Sequence, residues 1–211
     1  KTRGVIAKAI PNRDKNSQTF FQVRDKVKTN AMNQAQWEAF FVELRKISFR
    51  DCLVGKIMLQ GGKRISEVLS LKIEQIDWSR NKIAFVQSKT KGVEKLITIT
   101  YHSSIMEKLR EYLGDRIQGL AFLTSNGKPI QRFHFNSVFE RAGKAAGIPF
   151  KVTPHVLRAS AVTYLKYQGY QDSEIFRVTG HADSKMIYAY DKRSSEKNAS
   201  EKSNLTFWEM H

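Results

Sequence analysis

The stretch GGKRISEVLSL, from Gly61 to Leu71, is predicted to end one helix and to begin another. Its two glycines follow an apolar run through residues 53–58, and glycine best tolerates the left-handed backbone with which helices commonly end. Apolar residues then recur at helical spacing from Ile65 onward, which predicts a short second helix. Arg64 stands between the two helices, where on this evidence alone an arginine is an ordinary surface residue.

The sequence before this turn predicts an amphipathic helix, and the sequence after it predicts a small sheet. Asn33 suits an N-cap, and the apolar residues behind it recur at steps of three and four: Trp37, Phe40, Phe41, Leu44 and Ile47. Three short β-rich runs follow the turn, at 73–77, 83–86 and 96–99. Because polar turn residues separate the runs, they predict an antiparallel sheet with two tight turns.

Downstream of the sheet the pattern is mostly helical. One apolar helical run is capped by Ser103, and another covers 133–145. Thr153 followed by Pro154 predicts a capped helix start, because proline is favoured at the first helical position. Two further short helices have acidic candidate caps, Asp172 and Asp183. The predicted fold is therefore α+β, mainly α-helical with a small three-stranded antiparallel sheet.

A net charge of +16 sets this chain of 211 residues apart from an ordinary soluble domain, because 36 Lys and Arg face 20 Asp and Glu. With 41% hydrophobic residues, the chain still has enough apolar side chains for one substantial globular domain. A folded domain with this much positive charge is expected to bind a polyanion. Nucleic acid is the first candidate and an anionic membrane surface the second. An evenly basic soluble protein is the alternative on charge alone.

Cysteine content and hydropathy exclude several classes of protein. The single cysteine, Cys52, excludes an internal disulfide framework and a cysteine-rich zinc module. No run approaches the roughly 18 apolar residues that are needed to span a bilayer. The sequence therefore predicts a cytoplasmic protein with no membrane partner.

Candidate chemical groups recur along the chain, and each is a weak signal alone. His155 and Arg158 share one face of the helix that Pro154 opens. A helix N-terminus and a guanidinium fork both suit a phosphate group. The other candidates lie at a hairpin tip or near the C-terminus: Lys89, Lys91, His181, Tyr188 and Tyr190.

Together these residue types make a set that could cleave a phosphodiester without a metal ion. Phosphoryl transfer needs its nonbridging oxygens neutralised, its leaving oxygen protonated and its nucleophile deprotonated. Arginines supply the first, a lysine supplies the second, and a histidine helps with the third. The carboxylates of Glu67, Glu74 and Asp77 lack the spacing of a two-metal site. The sequence thus predicts neither a metal nor a cofactor.

Four boxes in a fixed order make the chain resemble the catalytic domain of tyrosine recombinases, the phage integrase family. They are Gly62 to Leu71, the hairpin at Lys89, His155-Val156-Leu157-Arg158, and Gly180-His181 followed by Tyr190. The resemblance spans about 30–193, and it includes the separations of 23 residues from Arg158 to His181 and nine from His181 to Tyr190. Within the family, the sequence of residues 153–159 and 186–192 looks most like that of integrases carried by chlamydial plasmids.

The resemblance implies a role for each residue of the set. Tyr190 would attack the scissile phosphate and form a 3′-phosphotyrosyl bond, while Arg64 and Arg158 would bind the nonbridging oxygens. Lys89 would protonate the departing 5′ oxygen. The remaining implied members are His155 in proton transfer, His181 as a hydrogen-bond donor to the phosphate, and Glu67 as support for the first arginine. The implied partner is double-stranded DNA, and no small-molecule substrate is implied.

Two positions have close competitors. Lys91 lies in the same hairpin as Lys89, and Tyr188 lies two residues before Tyr190. Position in the hairpin favours Lys89, and the family spacing fits Tyr190. The second arginine is followed by Ala159, where the family often has a histidine, and we expect this departure to matter little.

The resemblance also implies how the chain is divided. Residues 1–30 are predicted to be the remnant of an interdomain linker, residues 31–193 the catalytic domain, and residues 194–211 a tethered apolar segment. The tether either packs on its own domain or docks on a neighbouring copy in a tetramer on DNA. The leading interpretation is the catalytic part of a longer site-specific recombinase. A DNA-binding regulator without catalysis, a type IB topoisomerase and a basic RNA-binding protein are the alternatives.

Overall fold

The computed structural model describes residues 30–90 and 93–180 and confirms a mainly helical fold with a three-stranded antiparallel sheet. The helices are α1 Gln34–Ile47, α2 Phe49–Gly61, α3 Ile65–Leu69, α4 Ser103–Leu113, α5 His134–Ala145, α6 Pro154–Tyr167 and α7 Asp172–Thr179. The strands are β1 Ile76–Asp77, β2 Lys82–Thr90 and β3 Val93–Thr100.

Helix α1 begins where the sequence predicted. The Asn33 side chain accepts a hydrogen bond from the Gln36 amide at 2.9 Å, and the Gln36 side chain accepts one from the Asn33 amide at 3.0 Å. This reciprocal pair is a capping box. The apolar face of α1 then packs on α5, where the Phe40 and Phe139 rings meet edge to face with centroids 5.4 Å apart.

Helix α2 lies at the centre of the core and ends at the predicted glycine turn. It is buried on most sides, which matches its nearly continuous apolar sequence. Gly62 caps it with a left-handed φ of 56°. Helix α6 packs against α2, and it starts as predicted with Thr153 as N-cap and Pro154 in the first turn.

The sheet has the order β1-β2-β3, but its first strand is shorter than predicted. Only Ile76 and Asp77 of the run 73–77 pair with β2, while Ile73–Gln75 form a 3-10 turn. The reason is non-local, because the Ile73 amide donates to the Gly119 carbonyl at 2.9 Å instead of to a neighbouring strand. Strands β2 and β3 pair over most of their length, with Ile83 opposite Ile99.

Two predicted helix caps are wrong by one residue. Helix α4 is capped by His102, whose ring nitrogen accepts from the Ser104 amide at 3.3 Å, so Ser103 is the first helical residue. Helix α7 is capped at Gln171, whose amide donates to the Glu174 carboxylate at 2.8 Å, so Asp172 is likewise inside the helix.

Some sequence predictions lie outside the described residues. They concern residues 1–29, the cap at Asp183 and the tethered segment 194–211. In the two ranges that are described, the helices are too short or too polar for any of them to cross a bilayer.

Candidate active site

A buried carboxylate fixes the first predicted arginine. Glu67 lies in the first turn of α3, where one of its oxygens accepts from the Arg64 backbone amide at 2.9 Å. Its other oxygen accepts from Arg64 Nη1 at 2.8 Å. The Glu67 side chain is 2% exposed and that of Arg64 is 39% exposed. The carboxylate therefore holds one edge of the guanidinium, and the rest remains open to solvent.

The second predicted arginine is almost wholly buried. Arg158 projects from α6, and its side chain is only 3% exposed. Its Nη1 donates to the Gly62 carbonyl at 2.7 Å, and its Nη2 donates to the Thr179 carbonyl at 3.0 Å. Nη1 also lies 3.9 Å from Glu67 Oε2. Arg158 thus joins the glycine turn to the end of α7 and shares one carboxylate with Arg64.

The glycine at position 62 is required by this close packing. Its φ of 56° is unfavourable for other residues, and a Cβ atom there would lie 2.7 Å from Thr179 Cγ2. The turn that the sequence marked as a helix end is therefore also the place where α7 approaches α2.

Both arginines line one cavity of about 460 Å³. The predicted His155 lines it too, exposed, and its ring makes no hydrogen bond or ion pair within residues 30–90 and 93–180. The other lining residues include Arg132, Phe133 and Asn136, at the start of α5, and none of the lining residues within 30–90 and 93–180 is a carboxylate. Three guanidinium groups at one cavity without a facing acid make a site for an anion, and their planar forks suit phosphate.

A buried lysine adds positive charge behind the cavity. Lys63 is fully buried, and its Nζ has no hydrogen-bond partner among the residues described. The Nζ lies 5.2 Å from the centre of the Phe85 ring in β2. Burial lowers the pKa of Lys63 to about 8, although the nearby Glu67 opposes that shift. Lys63, Arg64 and Arg158 thus surround a single carboxylate, which leaves the cluster with excess positive charge.

The sheet meets the end of α7 beside this cluster. The Gln87 side chain in β2 donates to the Gly180 carbonyl. Gly180 has a left-handed φ of 69°, and a methyl group there would collide with the Gln87 amide. Lys89 lies two residues beyond Gln87 in β2, and His181 directly follows Gly180. Two chain segments that carry predicted site residues therefore meet at one contact.

The structure brings together four of the seven predicted site residues: Arg64, Glu67, His155 and Arg158. The backbone of Lys89 belongs to β2. The Lys89 side chain, His181 and Tyr190 lie outside the description, as do the competitors Lys91 and Tyr188. In the described ranges, no group of three His, Cys, Asp or Glu residues is placed to hold a metal ion.

Sequence reasoning missed Lys63, Arg132 and Phe133. Lys63 is a lysine beside a glycine turn, and nothing in the local pattern marks it as buried. Arg132 and Phe133 precede a predicted helix as ordinary loop residues. Only the packing of α5 next to α6 brings them to the cavity.

Comparison with known proteins gives consistent results. A model of the phage integrase family matches residues 30–197. The virulence plasmid integrase pGP8-D of Chlamydia muridarum is 52% identical over 204 residues, which are 97% of this chain and 62% of that protein. The virulence plasmid integrase pGP7-D of the same organism is 38% identical over 189 residues, covering 90% of this chain and 62% of that protein. These relatives confirm the resemblance to chlamydial plasmid integrases.

A solved structure shares the fold. The Tn1549 transposon integrase in complex with circular intermediate DNA superposes with a TM-score of 0.71 at 19% identity, covering 94% of this chain and 74% of that one. The chain spans less than two thirds of the length of the curated relatives that it matches.

Proposed function

The chain belongs to the phage integrase family, and from that premise we propose that it is the catalytic part of a site-specific DNA recombinase. The observation that carries the proposal is the pair of arginines held by one buried carboxylate at a cavity whose described lining residues include no acid. Such a cavity suits a phosphodiester, and the net charge of +16 suits a DNA backbone. The proposed location is the cytoplasm, since the substrate is DNA.

Phosphate binding is the first step. Arg64 presents its free edge to one nonbridging oxygen, and Arg158 supports the other from its buried position. Because Glu67 and two backbone carbonyls fix these groups before DNA binds, little reorganisation is needed when charge develops in the transition state. The excess positive charge, including that of Lys63, favours the phosphate further.

Cleavage is the second step. The Tyr190 oxygen attacks the phosphorus and forms a P–O bond, while the bond from phosphorus to the 5′ oxygen breaks. Lys89 gives a proton to that oxygen, His155 assists removal of the tyrosine proton, and His181 donates a hydrogen bond to the phosphate. The contact between Gln87 and Gly180 supports this part, because it joins the strand of Lys89 to the segment of His181.

The covalent intermediate explains strand exchange. Each cleavage exchanges one phosphoester for another, so the 5′ hydroxyl of a different strand reverses the reaction without ATP. The products are a rejoined strand and free Tyr190.

We test catalysis with the protein at its natural full length and a nicked duplex carrying a site selected from random DNA. We expect a denaturant-resistant adduct on the 3′ end that chelator leaves unchanged. Tyr190→Phe abolishes this adduct and Tyr188→Phe does not. Binding without an adduct would support the regulator instead, and relaxation of supercoiled DNA that lacks the site would support a topoisomerase.

Assembly of several copies is a further part of the proposal. The C-terminal segment carries four apolar residues, Leu205, Phe207, Trp208 and Met210. A groove of about 830 Å³ lies between α1, α2, α4 and α6, and Val42 is more than half exposed on it. The groove also includes three basic residues, Arg45, Lys56 and Lys108, against one acidic residue, Glu38. Glu209 in the segment complements their charge.

Assembly is tested by sedimentation velocity of the protein on DNA. We expect a tetramer for the intact protein and smaller complexes after deletion of residues 205–211 or with Val42→Asp. Leu96→Asp is the control, because Leu96 is exposed outside the groove. A tetramer that survives the deletion would show that the segment does not assemble the copies.

A further inference from the structure

An exposed phenyl ring stands at the mouth of the arginine cavity. Phe133 is 68% exposed, and it lines the cavity together with Arg64 and Arg158. Among the large apolar side chains that are markedly exposed within residues 30–90 and 93–180, it is the one that lines this cavity. A large apolar surface left in water at a polar site indicates a ligand with an apolar face.

The residues around the ring strengthen this reading. Arg132 precedes Phe133 and has no hydrogen bond, ion pair or ring contact from its side chain within the two described ranges. Asn136, one turn later, is exposed and lines the same cavity. The ring is thus flanked by groups able to bind a phosphate and a base edge.

A DNA phosphate differs from a free phosphate in what lies beside it. Each phosphodiester is joined to deoxyribose carbons, and a thymine adds a C5-methyl group in the major groove. A cavity built for inorganic phosphate has no use for a phenyl ring beside its arginines. A nucleotide, in contrast, offers apolar atoms a few ångströms from its phosphate.

We infer that Phe133 packs against the apolar face of the nucleotide next to the phosphate that Arg64 and Arg158 bind. The contact holds the DNA strand in register over the cavity and takes no part in proton transfer. This inference rests on the proposed function and adds a DNA contact to the residues that perform it.

The experiment uses the full-length protein and the nicked duplex described above, and it measures adduct formation against DNA concentration. We expect Phe133→Ala to raise the half-saturating DNA concentration about tenfold, in line with the loss of an aromatic contact to a nucleotide. The maximal rate stays close to that of the wild type. Phe133→Leu keeps most of the affinity because it keeps an apolar side chain. Ile117→Ala is the matched control, since Ile117 is 81% exposed and lies outside the cavity.

Uracil in place of thymine beside the cleaved phosphate distinguishes the two apolar sources. If uracil lowers the affinity of the wild type but not that of Phe133→Ala, the thymine methyl is the contact. Equal affinity for both bases, with Phe133→Ala still impaired, identifies the deoxyribose.

The outcomes separate this inference from the function beneath it. A wild-type protein that forms no adduct overturns the proposed function and this inference with it. If the wild type forms the adduct and Phe133→Ala binds DNA as well as Ile117→Ala does, the inference alone is overturned.

Discussion

Two buried carboxylates, Glu67 and Asp51, hold basic partners in different parts of the molecule. Glu67 binds Arg64, while Asp51 accepts from Arg50 Nε at 2.7 Å and lies 2.8 Å from the Nε2 atom of His134. Both carboxylate side chains are 2% exposed. Residue type and burial alone do not tell the two clusters apart.

The clusters differ in how many guanidinium donors of Arg50 and of Arg64 remain without a partner among the described residues. Arg50 also donates to the Leu123 carbonyl at 3.1 Å, so its guanidinium joins α2 to a distant loop. The Arg64 side chain is held by Glu67 alone within the described ranges, and its free edge lies at a cavity with Arg132 and Arg158. Unused donors at a cavity with excess positive charge therefore indicate that the Arg64 cluster is a binding site. Each guanidinium nitrogen of Arg50, in contrast, already has a partner within the protein, and no part of Arg50 lines that cavity.

The largest expected effect comes from removing each carboxylate charge. Glu67→Gln leaves the buried cations Lys63 and Arg158 without a counter-charge, so we expect the free energy of unfolding to fall by about 3–5 kcal/mol. Asp51→Asn leaves partners that are partly exposed to water, and we expect a fall of about 1–3 kcal/mol. Urea unfolding of both variants measures the difference. If Asp51→Asn lowered the free energy of unfolding as much as Glu67→Gln does, the two clusters would not differ in their need for a counter-charge.

Removing each arginine separates binding from folding. We expect Arg64→Ala to slow adduct formation by about 10²–10³, because a donor that stabilises the transition state is lost. Its stability stays near that of the wild type, since the side chain is partly exposed. Arg50→Ala gives the reverse pattern, with adduct formation kept and a lower urea midpoint. The contrast fails if the two variants slow adduct formation equally.

Lys63→Met tests the excess positive charge of the Glu67 cluster through the pH dependence of stability. The folded chain holds the Lys63 proton less tightly than the unfolded chain, with a pKa of about 8 against the ordinary 10.5. Between pH 8 and 10.5 the unfolded state therefore binds more protons, and wild-type stability rises with pH relative to Lys63→Met. We expect the variant to be more stable by up to about 3 kcal/mol below pH 8, with no advantage left near pH 10.5. Urea unfolding across this range measures the effect, and a pH-independent difference would contradict it.

The smallest effects are expected from the two histidines. His155→Gln removes an exposed ring at the cavity, so we expect adduct formation to slow about tenfold while stability is unchanged. His134→Gln weakens the contact to Asp51, so we expect about 1 kcal/mol less stability and normal adduct formation. Adduct formation and urea unfolding measure both effects. A cleavage defect in His134→Gln but not in His155→Gln would place the catalytic site at the Asp51 cluster instead.

Local patterns predicted most of the helices. Spacing of apolar residues marked α1 and α2, and Asn33 and Thr153 marked helix starts, because caps and periodicity act within a few residues of the chain. The prediction of a strand over the whole run 73–77 was wrong, because the Ile73 amide bonds to a segment more than 40 residues away. The caps of α4 and α7 were displaced because His102 and Gln171 do not stand out as caps in a sequence.

The candidate site divides in the same way. The family resemblance pointed to Arg64, Glu67 and Arg158, and the structure brings them together. The burial of Lys63 and the position of Phe133 depend on tertiary packing, so no local pattern could have predicted them. The structural role of Arg50 was invisible for the same reason.

In the proposed mechanism, Arg64 neutralises the phosphate that Tyr190 attacks. The most direct test of this claim replaces that phosphate in the nicked duplex with an uncharged methylphosphonate and measures adduct formation by Arg64→Ala. We expect the neutral linkage to restore most of the lost rate, because the charge that the arginine neutralises is gone, while Arg50→Ala gains nothing. An Arg64→Ala variant that is equally impaired on both linkages would contradict the claim.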